Sequence, residues 1–202
     1  MSRAGRALAA VLLLGGCNAV TTPVPLVPAE SGVLKAGVWR ADMEKGCNFD
    51  ERQPIAQWPS CAVAPILQSQ GVGRLVAKDR DPGSFDLRLV RGDPLLVQVT
   101  ITSANDEDAA FRSLTFYLAG RPTRLDAKGQ VTAADLWLVQ CGPPAGGGEM
   151  TRNPLPGLTL DAQAKTCATD QPQVVRAAAK ASEAWTDPDD LLRIRWLRDG
   201  DA

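Results

Sequence analysis

The sequence contains no histidine, and this absence limits the chemistry that the chain can perform. Histidine is the usual general base of serine and cysteine hydrolases and the commonest side-chain ligand of metal ions. The sequence also has no Cys-x-x-Cys pair, which is the spacing typical of structural zinc sites. We therefore expect no catalytic residues of these classes, no metal site and no cofactor.

Basic and acidic side chains are nearly balanced, with 22 Lys and Arg against 23 Asp and Glu. Arg3 and Arg6 lie in the first sixteen residues, and the rest of the chain holds 20 basic side chains. Binding to nucleic acid depends on clustered Lys and Arg that displace counterions from the phosphates. A slightly acidic chain is therefore not expected to bind nucleic acid.

No apolar run approaches the ~20 residues that cross a bilayer as a helix. The N-terminus instead has a basic head at Arg3 and Arg6, the short apolar stretch 7–14, and the tetrapeptide LGGC at 14–17. A basic head followed by a short apolar core and small residues is typical of a signal peptide. This order predicts a signal peptide over 1–16.

The LGGC tetrapeptide at 14–17 resembles the lipobox of bacterial lipoproteins. The resemblance implies that Cys17 carries a diacylglyceryl group, that cleavage occurs directly before it, and that the freed amine is acylated. Two or three acyl chains are needed for stable attachment to a membrane. In that family Asp after the lipidated Cys retains a protein in the inner membrane, so Asn18 favours the periplasmic face of the outer membrane.

Residues 17–32 follow the predicted cleavage site and contain Pro23, Pro25 and Pro28. Closely spaced prolines favour an extended chain that packs poorly. We therefore expect a tether over 17–32, which could reach roughly 45 Å from the lipid surface at ~3.1 Å per residue. The remaining residues, 33–202, are long enough for a single domain with its own core.

Four cysteines remain once Cys17 is assigned to the lipid: Cys47, Cys61, Cys141 and Cys167. An even number of cysteines in an exported protein predicts two disulfides. Four cysteines allow three pairings, and the sequence does not choose among them. Pairing of nearest neighbours would close two loops rich in Gly and Pro.

Alternation of apolar and polar residues predicts that the body is mainly β. The turn DAKG at 126–129 separates two of these segments and ends in a glycine, which suits a tight hairpin. The alternating segments are SFDLRLV, PLLVQVTI, SLTFYLA and DLWLVQC. They predict an antiparallel meander that closes into a barrel or a sandwich.

The period of the pattern changes near the C-terminus. Apolar residues recur at helical spacing within 170–185, and Pro172 stands where a first helical residue is expected. Alternation returns in LLRIRWLR at 191–198. We therefore predict one helix before the last strand.

The tripeptide GVW at 37–39, at the first strand of the body, is similar to the Gly-x-Trp motif of the lipocalins. The resemblance implies an eight-stranded barrel in which Trp39 closes one end and a late basic residue, Arg193 or Arg195, stacks on it. It also implies that the barrel carries a small apolar ligand.

Three functions remain open from the sequence. The first is a lipid-anchored domain that binds an envelope protein, and the second is a carrier of a small apolar ligand. The third is a hydrolase of an envelope polymer that uses paired carboxylates, at Asp50 and Glu51, at 106–108 or at 187–190. Neighbouring acids in loops are usually only solvated, so we expect a binding domain and not an enzyme.

Overall fold

Eleven strands and one α-helix form the part of the protein that the computed structural model describes. The described residues are 18–27, 33–41, 47–59, 61–67, 72–77, 84–102, 113–145 and 149–200. The signal peptide 1–16 and the lipid site at Cys17 lie outside these ranges and stay predictions. Within the ranges, no helix has the length and hydropathy needed to cross a bilayer.

The prediction of a mainly β protein with one late helix before a last strand is confirmed. The strands are β1 (Ala19–Thr22), β2 (Gly37–Ala41), β3 (Val63–Leu67), β4 (Val72–Ala77), β5 (Ser84–Val90), β6 (Leu95–Thr102), β7 (Ser113–Leu125), β8 (Val131–Leu138), β9 (Thr159–Asp161), β10 (Thr166–Ala168) and β11 (Leu192–Arg198). Helix α1 covers Pro172–Ser182, and three single-turn 3₁₀ helices cover Ile55–Gln57, Glu183–Trp185 and Pro188–Asp190.

The strands form one mixed sheet in the order β6-β5-β4-β3-β2-β11-β8-β7-β1-β10-β9, and β6 also pairs with β7. The pairing of β1 with β10 is parallel, and the other strand pairs are antiparallel. Among the described strands β9 pairs only with β10, so the sheet as a whole is not closed. The predicted wholly antiparallel barrel is therefore not supported, because alternation identifies strands and their faces but not their partners.

Residues 18–27 belong to the folded body, which corrects the expectation of a tether over 17–32. Within them β1 pairs with β7 on one side and with β10 on the other. Ala19 and Val20 are fully buried. The β1 sequence AVTT is rich in β-branched residues, and the prolines that favoured an extended tether begin only after β1 ends.

The chain that follows β1 is also held against the sheet. The backbone N–H groups of Leu26 and Val27 donate to Oε1 of the buried Gln98, at 2.8 and 3.1 Å. The hydroxyl groups of Thr22 and Tyr117 are hydrogen-bonded at 2.7 Å. Burial raises the pKa of Tyr117 above its ordinary value, so this hydroxyl keeps its proton at neutral pH.

Apolar side chains form separate clusters on the two faces of the sheet. Trp39 belongs to one cluster and its neighbour Val38 to another, because successive side chains of a strand point to opposite faces. Helix α1 covers a third cluster, in which the indole N–H of Trp137 donates to the carbonyl of Ala179 at 2.9 Å. The buried face of α1 consists of Val175, Ala178, Ala179 and Ser182. These spacings are those of one helical face.

Both predicted disulfides are present, and they join nearest neighbours. Cys47 is bonded to Cys61 and Cys141 to Cys167, across 14 and 26 residues. The second bond brackets β1: Cys167 is the register partner of Val20, and the Cys141 Sγ lies 3.4 Å from the β1 carbonyl oxygen of residue 19. The N-terminal strand is therefore enclosed between two covalently joined segments.

We predict that the two disulfides contribute similar amounts to the free energy of unfolding but differ in their effect on β1. The chain-entropy model gives ~3 kcal/mol for the Cys47–Cys61 loop and ~3.5 kcal/mol for the Cys141–Cys167 loop. Replacing Cys141 and Cys167 together by Ala should also speed amide hydrogen exchange in Ala19–Thr22, whereas the matched double replacement of Cys47 and Cys61 should not. Denaturant unfolding and exchange measured by mass spectrometry check both parts. Equal exchange of β1 in the two variants would contradict the bracketing.

Candidate functional site

The candidate site is the surface where the disulfide loop 47–61 packs on β2 and β11. The Cys47–Cys61 bond closes the loop, and the buried side chains of Ile55 and Trp58 hold it against the sheet. The indole N–H of Trp58 donates to the carbonyl of Gln53 at 2.9 Å. The loop is thus a fixed part of the surface.

Glu51 of this loop binds two arginines at once. Its carboxylate accepts hydrogen bonds from Arg40 of β2 and from Arg195 of β11. Arg40 and Arg195 are register partners across the two strands, so their side chains leave the sheet side by side. Two like charges directly opposite each other would destabilise the strand pair, and the Glu51 carboxylate offsets that repulsion.

The two arginines determine the charge state of Glu51. Burial acts to raise the pKa of Glu51, but the hydrogen bonds and positive charges of Arg195 and Arg40 outweigh it, so the pKa lies below its ordinary value. The carboxyl group is therefore fully ionised at neutral pH. Its side chain is 22% exposed, which leaves the ion pairs only partly screened by water.

Arg198, near the end of β11, is a third cation against the same loop. It donates to the backbone carbonyl of Glu51 and, at 3.2 Å, to that of Gln53. Its guanidinium carbon lies 5.8 Å from the centre of the Trp58 ring, within the range of a cation–π contact. Arg40 and Arg195 thus bind the Glu51 carboxylate, while Arg198 binds the loop backbone beside it.

Trp39 does not receive either of the two arginines that the lipocalin resemblance placed on it. The Arg195 side chain contacts Glu51, and Arg193 donates to the carbonyl of Pro188 at 3.2 Å. Trp39 packs in the cluster that also contains the β11 apolar residues at 194 and 196. Because side chains alternate along β11, both arginines lie on the opposite face from Trp39.

The glycine of the GVW tripeptide has a clear steric role. Gly37 has φ +132°, and a Cβ at this position would lie 2.3 Å from the Arg198 carbonyl oxygen and 2.6 Å from the Trp196 indole nitrogen. That indole donates to the carbonyl of Ala36 at 2.9 Å, and the Lys35 ammonium lies 3.5 Å from the centre of the Trp196 ring. The cation–aromatic pair at this end is therefore Lys35 with Trp196.

In the two described acidic clusters that were considered for catalysis, Asp50 and Asp187 stabilise local turns. Asp50 accepts a hydrogen bond from the N–H of Arg52 at 3.0 Å, and Asp187 accepts one from the N–H of Asp189 at 2.9 Å. In the described ranges no three acidic or cysteine side chains are grouped in a way that could hold a metal ion. The cluster at 106–108 lies outside the described residues.

An open groove of about 410 Å³ lies beside the N-terminal segment. It runs between residues 23–26 and residues 168–171, which precede α1. Its lining includes Pro23, Val24 and Leu26 on one side and Asp170 on the other. This groove has a mainly apolar lining and no grouping of charges comparable to that around Glu51.

Comparison with protein-family models, with curated proteins and with solved structures finds no match for this chain.

Sequence reasoning identified part of the site and missed its centre. The alternation in LLRIRWLR indicates that Arg193 and Arg195 point outward, as observed. The role of Glu51 could not be read from the sequence, because its bond to Arg195 joins residues 144 positions apart. The local signal was the disulfide-closed loop itself, which carries Glu51 together with the aromatic residues Phe49 and Trp58.

We predict that Glu51→Gln destabilises the protein by about 1–3 kcal/mol at neutral pH, because a neutral amide no longer offsets the repulsion between Arg40 and Arg195. The lowered pKa of Glu51 fixes the sign of the pH dependence. Its contribution is fully present above the unfolded-state pKa of about 4.3 and is lost as the pH falls through the lower folded-state value. The difference between the two proteins should therefore shrink in acid.

Denaturant unfolding at several pH values measures this difference. Glu149→Gln is the matched control, because Glu149 forms an exposed pair with Arg152 at 3.6 Å, and such pairs contribute little. A Glu51→Gln protein as stable as the control at neutral pH would show that the carboxylate is not needed between the arginines.

Proposed function

We propose that this protein is a lipoprotein held at the outer membrane through Cys17, and that its β domain acts in the periplasm by binding and not by catalysis. The observation that carries the proposal is that the LGGC sequence at 14–17 leads directly into a body with two disulfides. The disulfides indicate an oxidising, extracytoplasmic location. Lipid attachment is the means of anchoring that the LGGC sequence implies.

The surface around loop 47–61 supports a binding role. We call the outward side chains of Arg40, Arg193, Arg195 and Arg198 the arginine surface. Arg195 is 45% exposed, although its guanidinium is held by Glu51. A guanidinium group presents a planar set of donors that matches carboxylate and phosphate groups. A partner with acidic groups in the envelope therefore fits this surface best.

A second candidate is a carrier of a small apolar ligand. It is supported by the pairing of β6 with both β5 and β7. With this pairing, eight strands are neighbours in a ring, in the order β6-β5-β4-β3-β2-β11-β8-β7. We infer that these eight strands curl around the apolar cluster that contains Trp39, Leu87 and Val97. An interior of this composition would suit a small apolar molecule.

We predict that Cys17→Ser abolishes lipid attachment. The thiol is the atom to which the diacylglyceryl group would be joined, and a serine hydroxyl does not replace it in the lipobox chemistry. Metabolic labelling with a palmitate analogue, followed by separation of membrane and soluble fractions, measures the result. Cys47→Ser together with Cys61→Ser is the control for loss of cysteine elsewhere. Continued labelling of the Cys17→Ser protein would refute the anchor.

The carrier function predicts saturable binding of an apolar fluorescent probe by the native body. Val99→Phe should weaken that binding several-fold, because residue 99 lies in the cluster that the ring of strands surrounds. Leu160→Phe is the matched control, since Leu160 is exposed on β9. Titration of both variants, each first shown to unfold cooperatively, distinguishes interior binding from surface adsorption. Equal binding by the two variants would exclude the interior as the site.

A further inference from the structure

We propose that the folded body rests directly on the lipid surface, with the exposed turn 162–165 facing the headgroups. The inference rests on the lipid attachment at Cys17 proposed above. The occupant of this face is the phospholipid surface into which the acyl chains of Cys17 insert. The protein would then have a fixed orientation on the membrane, in place of the freedom that a long tether would give.

Asn18, the residue directly after the proposed lipid site, is fixed in the body. It is 5% exposed. Its amide nitrogen donates to the carbonyl of Gly142 at 2.8 Å and to the side chain of Gln140 at 3.2 Å. Its amide oxygen accepts the N–H of Thr151 at 3.3 Å, and its backbone carbonyl accepts the N–H of Cys141 at 2.7 Å. These four hydrogen bonds leave Asn18 no freedom to act as a linker.

The covalent geometry then places the lipid beside the body. Consecutive Cα atoms are 3.8 Å apart, so the Cys17 sulfur lies within about 7 Å of the Asn18 Cα. The tether expected from the sequence would have allowed roughly 45 Å. Because β1 is paired on both sides and bracketed by the Cys141–Cys167 bond, it cannot unravel to supply that length without loss of core contacts.

The register of β1 identifies one part of the face nearest to the lipid. Ala19 pairs with Thr166 of β10 in parallel, so the turn that precedes Thr166 lies at the same end of the β1–β10 pair as Asn18. Lys165 belongs to the turn 162–165 between β9 and β10, and all four residues of that turn are exposed. This turn is therefore beside the lipid site and open to the surface that the acyl chains enter.

The chain on the other side of Asn18 supplies the rest of this face. Pro143 and Pro144 follow the hydrogen-bonded Gly142 and are exposed. Arg152 follows the hydrogen-bonded Thr151, and its side chain is 85% exposed. Exposed residues thus follow both of the segments that are hydrogen-bonded to Asn18.

The opposite end of β8 provides a reference position away from the lipid. Gln140 and Gly142 follow the C-terminal end of β8, whereas the turn 126–129 precedes its first residue. The strand Val131–Leu138 has a length of roughly 25 Å at ~3.3 Å per residue. Lys128 in that turn is exposed, as Lys165 is. The two lysines therefore form a matched pair at different distances from Asn18.

The test uses the full lipidated protein in vesicles of phosphatidylethanolamine and phosphatidylglycerol. The photo-crosslinking residue p-benzoylphenylalanine replaces Lys165 in one variant and Lys128 in the other. Irradiation and mass spectrometry measure the fraction of each protein that carries a lipid adduct. We expect several-fold more adduct with the probe at 165 than at 128. A ten-residue Gly-Ser spacer inserted after Cys17, which adds roughly 18 Å of reach, should remove most of that difference.

Flotation of the vesicles separates failure of the docking from failure of the anchor. If the protein floats with the vesicles and the two positions give equal adducts, the docking is overturned and the anchor stands. If the spacer leaves the adduct at 165 unchanged, the turn contacts lipid without the short connection to Cys17, and that connection is overturned as the cause of the docking. A protein that does not float overturns the anchor and the docking together.

Discussion

The hydrogen bonds of β1 connect the β9–β10 hairpin to the rest of the sheet. In the strand order β1 stands between β7 and β10, and β9 is reached only through β10. The Cys141–Cys167 bond reinforces this connection, since it joins the end of the β8 segment to β10 across β1. The first residues after the proposed lipid site therefore hold two parts of the fold together. A segment with that role cannot also serve as a flexible tether, so the proposed lipid at Cys17 would lie close to the body.

A second constraint is the charge balance between β2 and β11. The register that places Arg40 opposite Arg195 would be unfavourable in isolation, and the loop 47–61 supplies the carboxylate that makes it stable. The same interaction orients the loop, because the Arg198 guanidinium bonds to the loop backbone next to that carboxylate. The packing of Trp58 and the ion pairs of Glu51 thus both hold the loop against the sheet. The result is a loop held firmly on the sheet, with the arginines of β2 and β11 grouped beside it.

The sequence predicted the local elements well and the long-range pairings poorly. Alternation in SFDLRLV matches β5 at Ser84–Val90, and helical spacing after Pro172 matches α1. The four cysteines indicated two disulfides, and the structure shows that nearest neighbours pair. The tether was wrong because AVTT before the prolines has the composition of a strand but no alternation to identify it, and its partner β10 lies about 145 positions away. Likewise, alternation indicated that Arg195 points outward but not that its side chain would bind Glu51.

The two ends of β8 relate the proposed lipid site to the arginine surface. Arg195 is the register partner of Ala133, near the start of β8, whereas Asn18 is bonded to Cys141 and Gly142, beyond its end. Eight residues of extended chain separate 133 from 141, which corresponds to roughly 25 Å. On the docking proposed above, the arginine surface would therefore lie well above the lipid headgroups and face the periplasm. The arginine side chains would lie about two to three Debye lengths from the membrane at physiological ionic strength, where an acidic partner in the periplasm would reach them.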